Sequence, residues 1–202
     1  MDARQYAPAT QRNREPIFKV LSEVIPANSN ILEIASGTGE HAIFLADRLQ
    51  SCRWIPSDVS ASAVQSINSW KDACPVDNLE SPLFIYVTQD NWQQQVENRE
   101  VNAIVNINMI HIAPWQACLG LIAGASEILA DGGILYLYGP YKRQGEHTAP
   151  SNASFDRSLR DRHPAWGVRD LESVVATAEA ENFKLEQVIN MPANNLSIIL
   201  RR

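Results

Sequence analysis

The sequence predicts an α/β fold: a mostly parallel, seven-stranded, doubly wound sheet with helices on both faces and an antiparallel terminal strand. Three observations predict it. Short apolar runs alternate with longer segments of helical periodicity, which is the pattern of a parallel sheet with crossover helices. The first such run leaves directly into Ser36-Gly-Thr-Gly39, a turn of the kind found at the ligand edge of open α/β sheets. The last two runs are separated only by Met191-Pro-Ala-Asn-Asn195, too short for a parallel crossover and suited to an antiparallel pair.

The elements follow in order. Residues Gln11 to Ile25 read as a helix, with Pro16 early and Ile17, Val20, Leu21 and Val24 at helical spacing. Ile31 to Ala35 is the first buried strand, and Glu40 to Gln50 the helix after the glycine turn. Cys52 to Pro56 is a second strand, ending near Asp58. Ser60 to Asp72 follows as a helix with Ser60 as its N-cap. Leu83 to Thr88 and the β-branched Val101 to Ile107 are the third and fourth strands. Pro114 to Ala130 is a helix with proline in its first turn, closed by Asp131-Gly-Gly before a fifth strand, Ile134 to Tyr138. From Gly139 to Arg169 the chain reads as irregular, with one helix around Phe155 to Arg162. A helix over Leu171 to Glu181 and strands over Phe183 to Ile189 and Ser197 to Leu200 complete the pattern.

Composition narrows the function. The chain has 202 residues, 45% of them hydrophobic, which suits one packed domain over 1–202. Its formal net charge of −6 argues against broad nucleic-acid binding, which needs a dense basic surface. Cys52, Cys74 and Cys118 form no CxxC, and His41, His111, His147 and His163 have no metal-ligand spacing, so neither disulfides nor a metal are expected. No apolar leader or membrane-spanning run is visible, so the expected location is the cytoplasm.

The turn after the first strand carries the clearest chemistry. Gly37 and Gly39 permit positive φ and a close backbone approach to a ligand. Asp58, ending the second strand, is placed to accept from both hydroxyls of a ribose. Gly37-Thr-Gly-Glu-His-Ala also fits a dinucleotide fingerprint. Two features favour S-adenosylmethionine (SAM) instead: Glu33 suits the cationic methionine end and would repel a pyrophosphate, and the closing strand pair fits methyltransferases better than dehydrogenases.

Glu33-Ile-Ala-Ser-Gly-Thr-Gly resembles the first motif of class I SAM-dependent methyltransferases, with Ala35 where many members have a glycine. Further segments resemble one family, the methyltransferase-like 26 proteins, also known as domain of unknown function 938. They are Ala9-Thr-Gln-Arg-Asn-Arg-Glu-Pro-Ile, Leu32-Glu-Ile-Ala-Ser-Gly-Thr-Gly-Glu-His-Ala, Trp54-Ile-Pro-Ser-Asp-Val, Ile107-Asn-Met-Ile-His-Ile, Tyr138-Gly-Pro-Tyr, Pro164-Ala-Trp-Gly-Val-Arg-Asp and Met191-Pro-Ala-Asn-Asn. The resemblance implies a Rossmann-like class I methyltransferase fold and SAM as cofactor, without a settled substrate. By motif, Glu33, Gly37, Thr38 and Gly39 line the methionine side, and Asp58 with Val59 the ribose side. Asp90 is placed near adenine, and Asn106 and Asn108 beside the methyl donor. It also lends the N-terminal segment, with Tyr6, Arg12 and Asn13, a role in closing over the site.

For the acceptor side, His111 is the candidate general base, because a hydroxyl acceptor must lose a proton and imidazole titrates near neutrality. The alternative is a histidine that hydrogen-bonds its loop or helps hold the cofactor. Tyr141 could orient or stack on an acceptor, or only pack the loop. Trp166 offers an apolar wall, and the amides of Asn194 and Asn195 could bind polar substrate atoms or only shape their turn. Arg157, Arg160, Arg162 and Arg169 could recognise an anion, or simply pair with Asp156, Asp161 and Asp170. The leading expectation is a SAM-dependent methyltransferase acting on a small molecule, an O-acceptor slightly preferred. A non-catalytic SAM-binding scaffold and an NAD-dependent oxidoreductase are the alternatives.

Overall fold

In the computed structural model, which describes residues 2–202, the chain divides into two compact units. The first comprises residues up to Tyr86 together with Gln95–Val105; the second comprises Val87–Gln94 and Asn106–Arg202.

The first unit holds helix α1 (Pro8–Val24), strand β1 (Asn30–Ile34), α2 (Glu40–Arg48), β2 (Arg53–Asp58), α3 (Ala61–Ala73), β3 (Leu83–Phe84) and most of β4 (Val101–Ile107). Its strand order is β3-β2-β1-β4. β1 and β2 run parallel with Ile31 opposite Trp54 and Glu33 opposite Pro56. Ile31, Leu32, Trp54 and Ile55 are fully buried, so this pair anchors the core with its apolar runs.

The second unit takes the end of β4, a 3-10 turn at Met109–His111, α4 (Trp115–Ile128), β5 (Ile134–Arg143), β6 (Glu146–His147), α5 (Pro150–Arg162), β7 (Arg169–Asp170), α6 (Leu171–Ala180), β8 (Lys184–Met191) and β9 (Asn195–Arg201). Its order continues β5-β9-β8. β9 runs antiparallel to both neighbours, with Leu137 opposite Ile198 and Met191 opposite Asn195. The seven-strand path and the antiparallel end are as expected; β6 and β7 join β5 off that path.

Several boundaries differ, each for a physical reason. α1 begins three residues earlier than Gln11, because Pro8 sits where a missing N–H costs nothing. Pro16 therefore lies deeper inside the helix than a start at Gln11 implies. β3 stops at Phe84, not Thr88, because its partner β2 ends at Asp58. β5 does not end at Tyr138. It passes through Gly139-Pro140, pairs with β9 as far as Asn195, and is prolonged by the short strands β6 and β7 on residues 141–143. α5 starts at Pro150 rather than near Phe155, again with proline in the first turn. A 3-10 segment over Trp92–Arg99, in a stretch without apolar periodicity, had no sequence signal. Among the described residues no helix is long and apolar enough to cross a membrane.

Candidate functional site

In the first unit the exits of β1 and β2 lie side by side, because the parallel register sets Glu33 against Pro56. Ser36 N–H donates to the Ser57 carbonyl (2.8 Å), and Ser57 Oγ donates to the Glu33 carbonyl (2.7 Å). Past this point the backbone turns left-handed at Ala35 (φ 60°), Gly37 (φ 56°) and Gly39 (φ 87°). Ala35 holds the conformation for which glycine is the usual residue, at a strain of about 1–2 kcal/mol. A Cβ on Gly37 would meet nothing within 4 Å, so this glycine faces open space. Gly39 instead packs on α3: a Cβ there would lie 3.0 Å from the Ile67 backbone.

Asp58 closes the turn. Its Oδ2 accepts from Gly37 N–H (2.9 Å) and its Oδ1 from Ser60 N–H (2.8 Å). Ser60 occupies the N-cap position of α3, but its hydroxyl bonds Ser62 Oγ instead of capping the helix. Val59, next to Asp58, is 46% exposed. Glu33 is buried, and its Oε2 accepts from Trp54 Nε1–H (3.0 Å) and Ser36 Oγ–H (2.8 Å). Burial pushes its pKa up to about 7, against the pull of those two donors.

The N-terminal segment is strapped along α3 and the start of α2. Ala3 N–H donates to Ser69 Oγ (3.3 Å), Gln5 N–H to Ser66 Oγ (2.8 Å) and Ala7 N–H to the Glu40 carboxylate. Ser66 Oγ in turn donates to the Thr38 carbonyl (2.6 Å), and Thr38 Oγ1 to Glu40 (3.1 Å), so the strap is tied to the glycine turn. Tyr6 lies edge-on against Trp70 but stays 61% exposed. Arg12 is exposed, while Asn13 is buried with Oδ1 on His41 Nε2 (2.8 Å). Burial, helped by Arg14, pushes the His41 pKa down to about 4. Sequence reasoning missed Glu40 and Ser66, although Glu40 stands inside the glycine motif.

In the second unit Asn108 adopts φ 66° and donates its N–H to the Tyr138 carbonyl (2.8 Å), turning the chain out of β4 into the Met109–His111 turn. His111 is fully buried. Its carbonyl accepts from Gly167 N–H (2.9 Å), and its Nδ1 accepts from Arg169 N–H (3.3 Å). The neutral ring therefore carries its proton on Nε2. Burial first, then the Arg169 charge, pushes the His111 pKa down to about 3. The imidazole meets Tyr141 edge-on, with ring centroids 4.9 Å apart. His111 Nε2 and the Tyr141 hydroxyl are both buried without a hydrogen-bond partner among the described residues. Gly139 is required beside them, since a Cβ there would lie 2.5 Å from His111 Nε2.

The arginines divide. Arg169 donates from Nε to the Ile110 carbonyl (2.9 Å) and from Nη2 to those of Ala113 (2.6 Å) and Ala165 (3.0 Å). It lies 5.7 Å from the Trp115 ring and makes no ion pair among the described residues. Asp170 caps α6 through Ser173 N–H (3.3 Å) instead of pairing with it. Among the described residues Arg160 alone of the four forms the expected pair, with Asp156 (3.2 Å). Arg157 bonds Ser154 Oγ, and Arg162 bonds the Ser158 carbonyl. Trp166 is half-buried and stacks on His163. Asn194 sits in the left-handed region (φ 58°) with its amide on Ser151 Oγ, and the Asn195 amide donates to the Pro192 carbonyl, so both amides serve their turn in this conformation. Asp90 is exposed on the loop after β3, and Asn106 is buried in β4.

A family model described as "Protein of unknown function (DUF938)" matches residues 4–202. Among solved structures, the chain is similar to an O-methyltransferase family protein from Burkholderia thailandensis, with TM-score 0.78 and 13% identity over 96% of this chain and 57% of that one. It is similar to an O-methyltransferase family 2 protein from Planctomyces limnophilus in complex with apigenin (TM-score 0.72, 17% identity, 94% of this chain and 61% of that one). It is also similar to human N-acetylserotonin methyltransferase in complex with SAM (TM-score 0.77, 11% identity, 96% and 52%). The chain thus spans between about half and three fifths of these proteins' length. At such identities the likeness shows the fold, which is the Rossmann-like α/β fold of methyltransferases.

Proposed function

The chain belongs to the family described as "Protein of unknown function (DUF938)", and on that premise we propose that it is a SAM-dependent methyltransferase acting on a small-molecule acceptor. The same reading places it with the methyltransferase-like 26 proteins and gives it a cytosolic site of action. The observation that carries the proposal is Asp58 at the exit of β2, bonded to the open glycine turn. A carboxylate there suits the two hydroxyls of a ribose, and the uncrowded Gly37 leaves room for a ligand beside it. Glu33, held at the strand end by Trp54 and Ser36, would face the ammonium of the methionine end; a cation nearby favours its ionised form. SAM, when bound, supplies an electrophilic methyl group. Thr38, Gly39 and Val59 complete that side, and Asp90, Asn106 and Asn108 are assigned by motif to adenine and the donor.

On the acceptor side His111 and Tyr141 orient the substrate. The buried, neutral imidazole has its Nδ1 lone pair engaged by Arg169 N–H, so in this conformation it offers a donor and not a base. Tyr6, Arg12 and Trp166 are further contacts in this reading, and Asn13, Asn194 and Asn195 join them only if the ligand draws their amides from the bonds described.

Calorimetric titration with SAM, its demethylated product S-adenosylhomocysteine (SAH) and NAD(H) tests the cofactor. The parent protein is expected to bind SAM and SAH. Asp58→Ala should weaken both by about a hundred-fold, since hydrogen bonds to a charged group contribute about 1.5–3 kcal/mol each. Asp58→Asn, which keeps an acceptor for Gly37, should fall between. NAD(H) binding without SAM binding would overturn the reading.

A further inference from the structure

We propose that the second unit holds a subsite for an acceptor oxygen that arrives already ionised, a small-molecule carboxylate in the first place, and that Asp156 is the positioning residue that keeps His111 a donor to it. The group-transfer part rests on the methyltransferase reading; the binding part does not.

Two donors without acceptors mark the spot. His111 Nε2–H and the Tyr141 hydroxyl belong to one edge-to-face pair, both side chains fully buried, both polar atoms unpartnered. Buried polar groups left open in this way are uncommon, and the atom that would satisfy an N–H is an oxygen or other acceptor. A hydroxyl substrate would need a base as well. None is offered here, because His111 Nδ1 is occupied and burial keeps the Tyr141 phenol protonated.

The charge beside the pair has the sign an anion requires. Among the described residues Arg169 bonds main-chain carbonyls, lies over an aromatic face and forms no ion pair with a carboxylate. An anion entering near it would be drawn by that guanidinium, on which Asp156 acts without forming an ion pair among the described residues.

Asp156 acts through the strand next to His111. Three successive N–H groups alternate: Gly167 donates to the His111 carbonyl (2.9 Å), Val168 to Asp156 Oδ1 (2.7 Å) and Arg169 to His111 Nδ1 (3.3 Å). Asp156 thus grips the middle residue of a stretch that holds the His111 carbonyl at one end and chooses the ring tautomer at the other. Its other oxygen collects Lys142 (3.5 Å), His147 (3.3 Å) and Arg160 (3.2 Å), which keeps it ionised and in place. Gly167 is needed for the approach, since a Cβ there would lie 2.7 Å from Asp156 Oδ1.

In the transfer, a lone pair of the acceptor carboxylate forms the new O–CH3 bond. The electron pair of the breaking bond stays on the donor's sulfur, and no proton moves. The charged groups that act on the pair are Arg169 and Asp156, and neither gives up or takes a proton in this step.

The test is nitrogen NMR on histidine-labelled protein loaded with SAH. His111 should show an unprotonated Nδ1 and a protonated Nε2 across pH 5–9. Benzoate should shift Nε2 saturably and bind about ten-fold or more tighter than benzyl alcohol; Tyr141→Phe should cost about ten-fold for benzoate. Asp156→Ala, which removes the acceptor for Val168 N–H, should mix the two tautomers. Tyr141→Phe keeps the test decisive if that variant does not fold. No benzoate shift, or an equal one from benzyl alcohol, overturns the subsite. Tighter binding of 4-nitrophenolate overturns the carboxylate as its source. A pure Nε2–H tautomer in folded Asp156→Ala overturns the positioning role. Failure of SAH to load overturns the cofactor reading instead, and the benzoate result still stands by itself.

Discussion

Glu33 shows how one buried carboxylate can be legible in kind and not in state. Its position at the end of the first strand was readable from the motif, but its hold by Trp54 Nε1 and Ser36 Oγ depends on a neighbouring strand. Its pKa is raised to about 7, so between roughly pH 4.5 and 7 the folded chain binds a proton that the unfolded chain has lost. Stability from this group is therefore present at low pH and lost as pH rises, by at most about 3 kcal/mol. Urea unfolding of the parent and Glu33→Gln at pH 5 and pH 8 should show the variant gaining relative to the parent at the higher pH. A constant difference would mean that Glu33 is ionised throughout. The left-handed Gly37 was equally legible, because turn chemistry is local, whereas the bond of Asp58 to its N–H crosses between strands. The state of His111 was not: its tautomer is chosen by Arg169, far away in sequence. Neither was the clamp that Arg169 makes on carbonyls, since an arginine in sequence says nothing of its partners.

At the scale of elements, strands and helices were read well wherever periodicity spoke, as in β4, whose bounds match the prediction. Errors came where tertiary pairing overrode local signals. Gly139-Pro140 looks like an end to β5, yet β9, β6 and β7 carry it on to Arg143. The glycines of α4 were invisible as a feature because apolar spacing already made a helix. Gly120 and Gly124 are where the loop after β3 touches α4: a Cβ on Gly120 would lie 2.0 Å from the Val87 carbonyl oxygen, and one on Gly124 would lie 2.2 Å from the Trp92 indole. Trp92 Nε1–H also donates to the Gly120 carbonyl (3.1 Å). Glycine to alanine in a helix ordinarily gains about 1 kcal/mol. Gly120→Ala is expected instead to lose about 1–3 kcal/mol by overpacking, measured by thermal or urea unfolding.

For the whole molecule, the alternation of apolar runs gave away the sheet, and the five-residue link before β9 gave away its antiparallel end. What stayed hidden was how far the ends of the chain are used. The opening residues were read only as a segment near the site, yet they are hooked at every second N–H to side chains of α2 and α3. That spacing imposes a parity rule on the start of the chain. Positions 3, 5 and 7 must each keep an N–H, which excludes proline from all three, and the first proline stands at position 8, one step after the last hook. Gln5→Pro should therefore melt about 2–4 °C below Gln5→Ala, which loses the same side chain but keeps the donor. Equal melting temperatures would mean that the hook on Ser66 contributes nothing.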